Sequence, residues 1–148
     1  MNDTIPNEAD WTGWKADVES RFAYRTYFGR SNSEMRLRYD ASPIEVFEEL
    51  HFMPVKAFHY YVLGFRDSVL ARANPDDIDN ATAADCFLGL IAVRAREQRS
   101  DVTPIWHELR AAVAFVAEHQ ADYDADEGIF GSFAKKRAQI EALIQGHD

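Results

Sequence analysis

One stretch constrains this chain more than any other. It is His51 to Leu70, HFMPVKAFHYYVLGFRDSVL, the longest strongly apolar run. Pro54 stands where a first helical turn tolerates it, because the N–H that proline lacks would be unpaired there anyway. Behind it Phe58, Val62, Phe65 and Val69 recur at spacings of four, three and four, which is one helical stripe. Tyr61, Leu63 and Leu70 widen the stripe beyond a single face. A helix apolar over so much of its circumference belongs inside a bundle. The spacing predicts a core helix over about 54–73. Gly64 in its middle costs ~1 kcal/mol relative to Ala, and close approach of a neighbouring helix would offset that.

The remaining chain reads as further helices. Asp10 is a candidate N-cap for a first helix, with Trp11, Trp14, Val18 and Phe22 on one face and Gly29 as its stop. An alternative reading pairs 21–28 with 34–39 as a short β-hairpin, because Met35, Leu37 and Tyr39 alternate with Arg36 and Arg38. Ser42-Pro43-Ile44-Glu45 has the pattern of a capping box with Pro at the first helical position. A short helix to about Leu50 is expected from it.

Asn74-Pro75-Asp76-Asp77 breaks the core helix. Asp79, Asn80 or Thr82 caps the next one, whose face is Ala84, Phe87, Leu88, Ile91 and Ala95. Arg94, Arg96 and Arg99 suit the negative end of its dipole. Thr103-Pro104 opens a helix with Ile105, Leu109, Ala112, Val113 and Val116 inward, and a last helix runs from Gly131 or Ser132 to Gln145. The expectation is an all-α fold, a compact bundle of five or six helices forming one domain over 10–148 after a flexible tail of residues 1–9.

Composition enters where partners are concerned. At 148 residues, 47% hydrophobic, the chain has material for a core without disulfides or metal. A single cysteine, Cys86, fits a reducing compartment. The first residues, MNDTIPNEADW, are acidic and polar, unlike a signal peptide. No window is long and apolar enough for a membrane helix. These features point to the cytoplasm. A net charge of −9 argues against nucleic-acid binding, which draws its affinity from Lys and Arg on phosphates, and suits a basic protein partner.

No chemical motif is complete. Trp106-His107-Glu108 begins like a zinc-protease helix, but the second histidine is Ala111. Asp122-Tyr123-Asp124-Ala125-Asp126-Glu127-Gly128 alternates oxygens like a calcium loop. Its glycine is one place late, and the closing acid at position twelve is Phe133. Neither a metal nor a cofactor is expected. Cys86 has no neighbouring base to lower its pKa, and Asn80-Ala81-Thr82 matters as a sequon only on secretion.

Three surfaces remain. The first is acidic: Glu118, Asp122, Asp124, Asp126 and Glu127. The second is aromatic. Trp11, Trp14, Tyr24, Tyr27 and Phe28, with Arg21 and Arg25, exceed what one stripe buries and are residue types that dominate interfaces. The third is a candidate pocket of His59, Tyr60, Tyr61 and Glu48 or Glu49, since a histidine beside a carboxylate can act as a general base. A hydrogen-bonded aromatic core cluster is the commoner meaning of that set.

Phe52, Met53, Pro54, Ala57, Phe58, Tyr60 and Tyr61 together resemble the core-helix signature of an uncharacterised bacterial helical domain family, over roughly residues 37 to 116. The resemblance implies a bacterial helical domain and assigns no activity. Small acidic proteins of this kind often belong to toxin–immunity systems, a fold-level association. The expected function is a protein-binding module, most concretely an immunity-type or antitoxin-like inhibitor of a basic partner, with Glu118–Glu127 as its contact. The other readings are an enzyme or small-ligand binder using the His59 pocket, and a homo-oligomeric structural protein whose aromatic surplus is its own dimer interface.

Overall fold

The computed structural model describes residues 4–73 and 79–146. The Asn74-Pro75-Asp76-Asp77 turn lies outside them. The fold is all-α, with no strand among the described residues. The chain divides into two compact units, Met1–Phe65 and Arg66–Asp148.

In the first unit a 3-10 turn, Glu8–Trp11, leads to α1 (Val18–Tyr27), α2 (Asn32–Ala41), α3 (Pro43–Phe52) and the start of α4 (Val55–Ala71). The continuous first helix does not form. Asn7, not Asp10, caps the 3-10 turn, and Asp10 closes the capping box by accepting from the Asn7 N–H. The chain then bends through Gly13 (φ +97°) and restarts at Asp17, whose carboxylate accepts from Ser20 N at 2.7 Å. The restart resets the helical phase. Ser20, Ala23 and Tyr27 become the buried face of α1, while Val18 is 64% and Phe22 48% exposed.

The hairpin over 21–39 is replaced by α1 and α2. Ser31 and Glu34 form a reciprocal capping box at the start of α2. Met35 and Tyr39, four apart, are buried, whereas Leu37 is 83% exposed. A strand would have put all three on one side, so the helical period decided the outcome. Ser42 precedes α3 without a side-chain capping bond. That corrects the expected capping box there, and Pro43 alone marks the start.

The core of this unit is aromatic. Tyr27 meets Tyr61 edge-on at 4.9 Å, and Tyr39 lies against Phe65 at 6.1 Å. The Tyr61 hydroxyl donates towards the carbonyls of Tyr27 and Arg30, at 2.8 and 2.7 Å. Gly64 lies against Asn32 and Tyr39 of α2, so the close approach expected of it is present.

The second unit contains α5 (Asn80–Glu97), α6 (Trp106–Glu118), a one-turn helix α7 (Glu127–Phe130) and α8 (Phe133–Ile144). The expected faces of α5 and α6 are buried throughout. Arg94 is buried as well and pairs with Asp101 at 3.1 Å. Between α6 and α8 the chain is held by Gln120. Its amide donates to the carbonyls of Ala125 (2.9 Å) and Gly131 (2.8 Å), and its Oε1 accepts from Phe133 N (2.8 Å). Tyr123 is buried beside it and donates to the carbonyl of Val69 at 2.9 Å. No described helix is long and apolar enough to cross a membrane.

Candidate functional site

The restart of α1 at Asp17 and the Pro43 start of α3 set two outward faces beside one another. Ser20 ties them, its hydroxyl donating to the Phe52 carbonyl at 2.7 Å. Between them lies a cleft of about 290 Å³. Val18 and Phe22 of α1 form its apolar wall, Glu19, Glu45 and Glu48 its carboxylates, and Arg38 and Glu49 complete it.

Arg38 and Glu49 form a closed pair. Glu49 is only 5% exposed. Its Oε1 accepts from Arg38 Nε at 2.9 Å and from the Tyr27 hydroxyl at 2.7 Å, and its Oε2 accepts from Arg38 Nη2. A buried carboxylate is costly unless its lone pairs are filled, and here three donors fill them. The Glu49 hydrogen bond holds the Arg38 guanidinium above its already high pKa. Burial first, and the Glu49 charge next, push the Tyr27 hydroxyl well above the usual tyrosine value, so it stays a donor. Arg38 is matched to Glu49, and no other basic side chain lines the cleft among the described residues. Glu19, Glu45 and Glu48 make no ion pair or side-chain hydrogen bond among the described residues.

The pocket set drawn from the sequence is not brought together. Glu48 lines the cleft, but His59, Tyr60 and Tyr61 do not. The Tyr60 hydroxyl accepts from Asn32 N at 3.0 Å, and its carbonyl accepts from Asn32 Nδ2 at 2.9 Å. Tyr61 holds the end of α1. Tyr60 therefore organises the packing of α2 on α4, and Tyr61 that of α1. His59 is half-buried, its ring 6.1 Å from that of Phe58.

The aromatic set splits. Trp11 and Tyr27 are fully buried. Tyr24 is half-buried in a ladder, stacked on Trp14 at 3.8 Å and on Phe28 at 4.7 Å, and its hydroxyl donates to Glu8 at 2.7 Å. The acidic set also splits. Glu118 accepts from Arg137 at 3.0 Å, and Asp126 caps α7 by accepting from Gly128 N. Asp122, Asp124 and Glu127 remain exposed.

Val18, Glu19, Phe22, Arg38 and Glu45 were not singled out together by sequence reasoning. A faint signal was present. On α3, Glu45, Glu48, Glu49 and Phe52 fall at i, i+3, i+4 and i+7, a helical face that is acidic where a core face would be apolar. Among the described residues no group of three or more His, Cys, Asp or Glu side chains is placed to hold a metal ion. No family model, curated protein or solved structure matches this chain.

Proposed function

We propose that this chain is a protein-binding module whose first unit docks a basic surface of its partner at the α1–α3 cleft. The observation that carries the reading is the trio Glu19, Glu45 and Glu48, without an ion pair among the described residues and beside the exposed Val18 and Phe22. Glu19 and Glu45 stand in the first turns of α1 and α3, where the positive end of a helix dipole favours a carboxylate, but three like charges around one cleft repel one another, and a cationic partner would relieve that repulsion. A second copy of the chain would bring acidic rim to acidic rim in a two-fold interface and is the poorer occupant. The exposed Asp122, Asp124 and Glu127 offer a secondary contact of the same sign. The most concrete form is an immunity-type or antitoxin-like inhibitor that covers a basic patch of its target in a reducing cytoplasm.

The test is affinity capture with the intact chain as bait, at low and moderate salt. The recovered partner should be basic, salt-sensitive and lost from a Glu19→Gln, Glu45→Gln, Glu48→Gln variant. It should survive replacement of Asp122, Asp124 and Asp126 by Asn. Equal recovery by the triple Gln variant would overturn the reading.

A further inference from the structure

We infer that the cleft is an arginine pocket: it takes one arginine side chain from the partner, with the stem on Val18 and Phe22 and the guanidinium between Glu45 and Glu48. The inference rests on the preceding reading and names the side chain that the cleft selects.

Size comes first. At about 290 Å³ the cleft lies at the foot of the ~300–1,000 Å³ range of small-molecule sites and suits a single long side chain. Its walls are the second argument. A bare ammonium or metal ion has no apolar stem to lay on Val18 and Phe22, whereas the methylenes of a long cationic side chain lie well along them. Phe22 presents a half-exposed ring, and a guanidinium stacks on such a ring more readily than an ammonium does.

The carboxylates supply the third argument. Glu45 and Glu48 are one turn apart on the same face of α3, and Glu19 faces them from α1. A guanidinium is planar, carries five donors and is weakly hydrated, so it can engage two carboxylates at once. An ammonium is compact and holds its water more tightly. The Arg38–Glu49 pair limits how deep the cation enters. Arg38 already occupies Glu49, so that carboxylate is not available. The incoming group meets the Glu45 and Glu48 oxygens instead.

The experiment is an NMR titration of the uniformly ¹⁵N-labelled full chain with acetyl-Gly-Arg-Gly-amide and with its Lys and citrulline counterparts. The arginine peptide should shift the amides of residues 18–22 and 45–49. The lysine peptide should bind about tenfold more weakly, and the uncharged citrulline peptide should leave the spectrum unchanged. Glu45→Gln with Glu48→Gln should remove the arginine response, while the dispersion of the same spectrum shows that the variant is folded. Phe22→Ala should narrow the gap between arginine and lysine. Equal arginine and lysine responses confined to the cleft would overturn arginine selection and leave the basic-docking reading standing. No response in the cleft to either cationic peptide would overturn both.

Discussion

Asn32 of α2 sits directly over Gly64 of α4. A Cβ at Gly64 would fall inside the contact distance of Asn32 Oδ1 and Cγ, and 2.7 Å from Tyr39 Cε2. Asn32 cannot swing away cheaply. Its Nδ2 donates to the Tyr60 carbonyl at 2.9 Å, and its Oδ1 accepts from the Tyr39 hydroxyl at 2.7 Å. Gly64→Ala therefore gains helix propensity and loses more to overpacking. The expected net loss is about 1–3 kcal/mol, read as a lower urea midpoint at unchanged slope. An unchanged midpoint would show that the two helices can part without cost.

The proposed docking at the cleft implies a trade of stability against binding. Glu45 and Glu48 are i,i+3 neighbours, and Glu45 also lies four residues from Glu49. Glu48→Gln, which leaves Glu45 in the first turn of α3 where the helix dipole favours it, should raise stability by a few tenths of a kcal/mol while weakening partner binding. Urea denaturation and the capture experiment read the two effects on one protein. A variant that loses stability would mean that this carboxylate serves the fold.

The tyrosines predict an alkaline limit. Burial is the first cause of the raised pKa of Tyr27, Tyr39 and Tyr123, the last pushed up to about 12. The sign follows from proton counting. Between the unfolded value near 10 and the folded values, the unfolded state has released protons that the native state keeps. Stability is fully present below about pH 10 and falls as pH rises beyond it. Urea midpoints at pH 8 to 11 should show this decline, and Tyr123→Phe should flatten it. A flat profile for the native chain would contradict the assignment.

Gln120 should act as a local staple. Gln120→Ala removes three hydrogen bonds and orphans the Phe133 N–H at the start of α8. The expected cost is about 1–3 kcal/mol, concentrated between 120 and 133. Amide hydrogen exchange there should quicken by more than at the α5 core. A uniform change across the chain would argue that the connection has no local role.

Much of the fold was legible because it rests on local signals. The core stripe Phe58, Val62, Phe65 and Val69 carried its own period, and the helix it predicted over 54–73 spans Val55–Ala71. The last helix, expected from Gly131 or Ser132 to Gln145, spans Phe133–Ile144. The errors arose where two local rules competed. Met35, Leu37 and Tyr39 fit a period of two, but the Ser31–Glu34 capping box and the four-residue spacing of Met35 and Tyr39 favoured a helix.

The candidate site was largely illegible, for a reason of phase. The sequence by itself determined a helical bundle with the state of 21–39 left open, an apolar core helix with a glycine awaiting a close neighbour, and an acidic surplus. Only the tertiary structure decided which residues of the first unit meet water. A helix turns about 100° per residue, so the break between Gly13 and Asp17 separated Trp11 from Val18 and Phe22, although all three share one periodic stripe. Trp11 went into the core and the other two went out, beside carboxylates from α3 more than twenty residues away in the chain. That juxtaposition depends on how α1 packs on α3, and spacing along one helix carries no information about it.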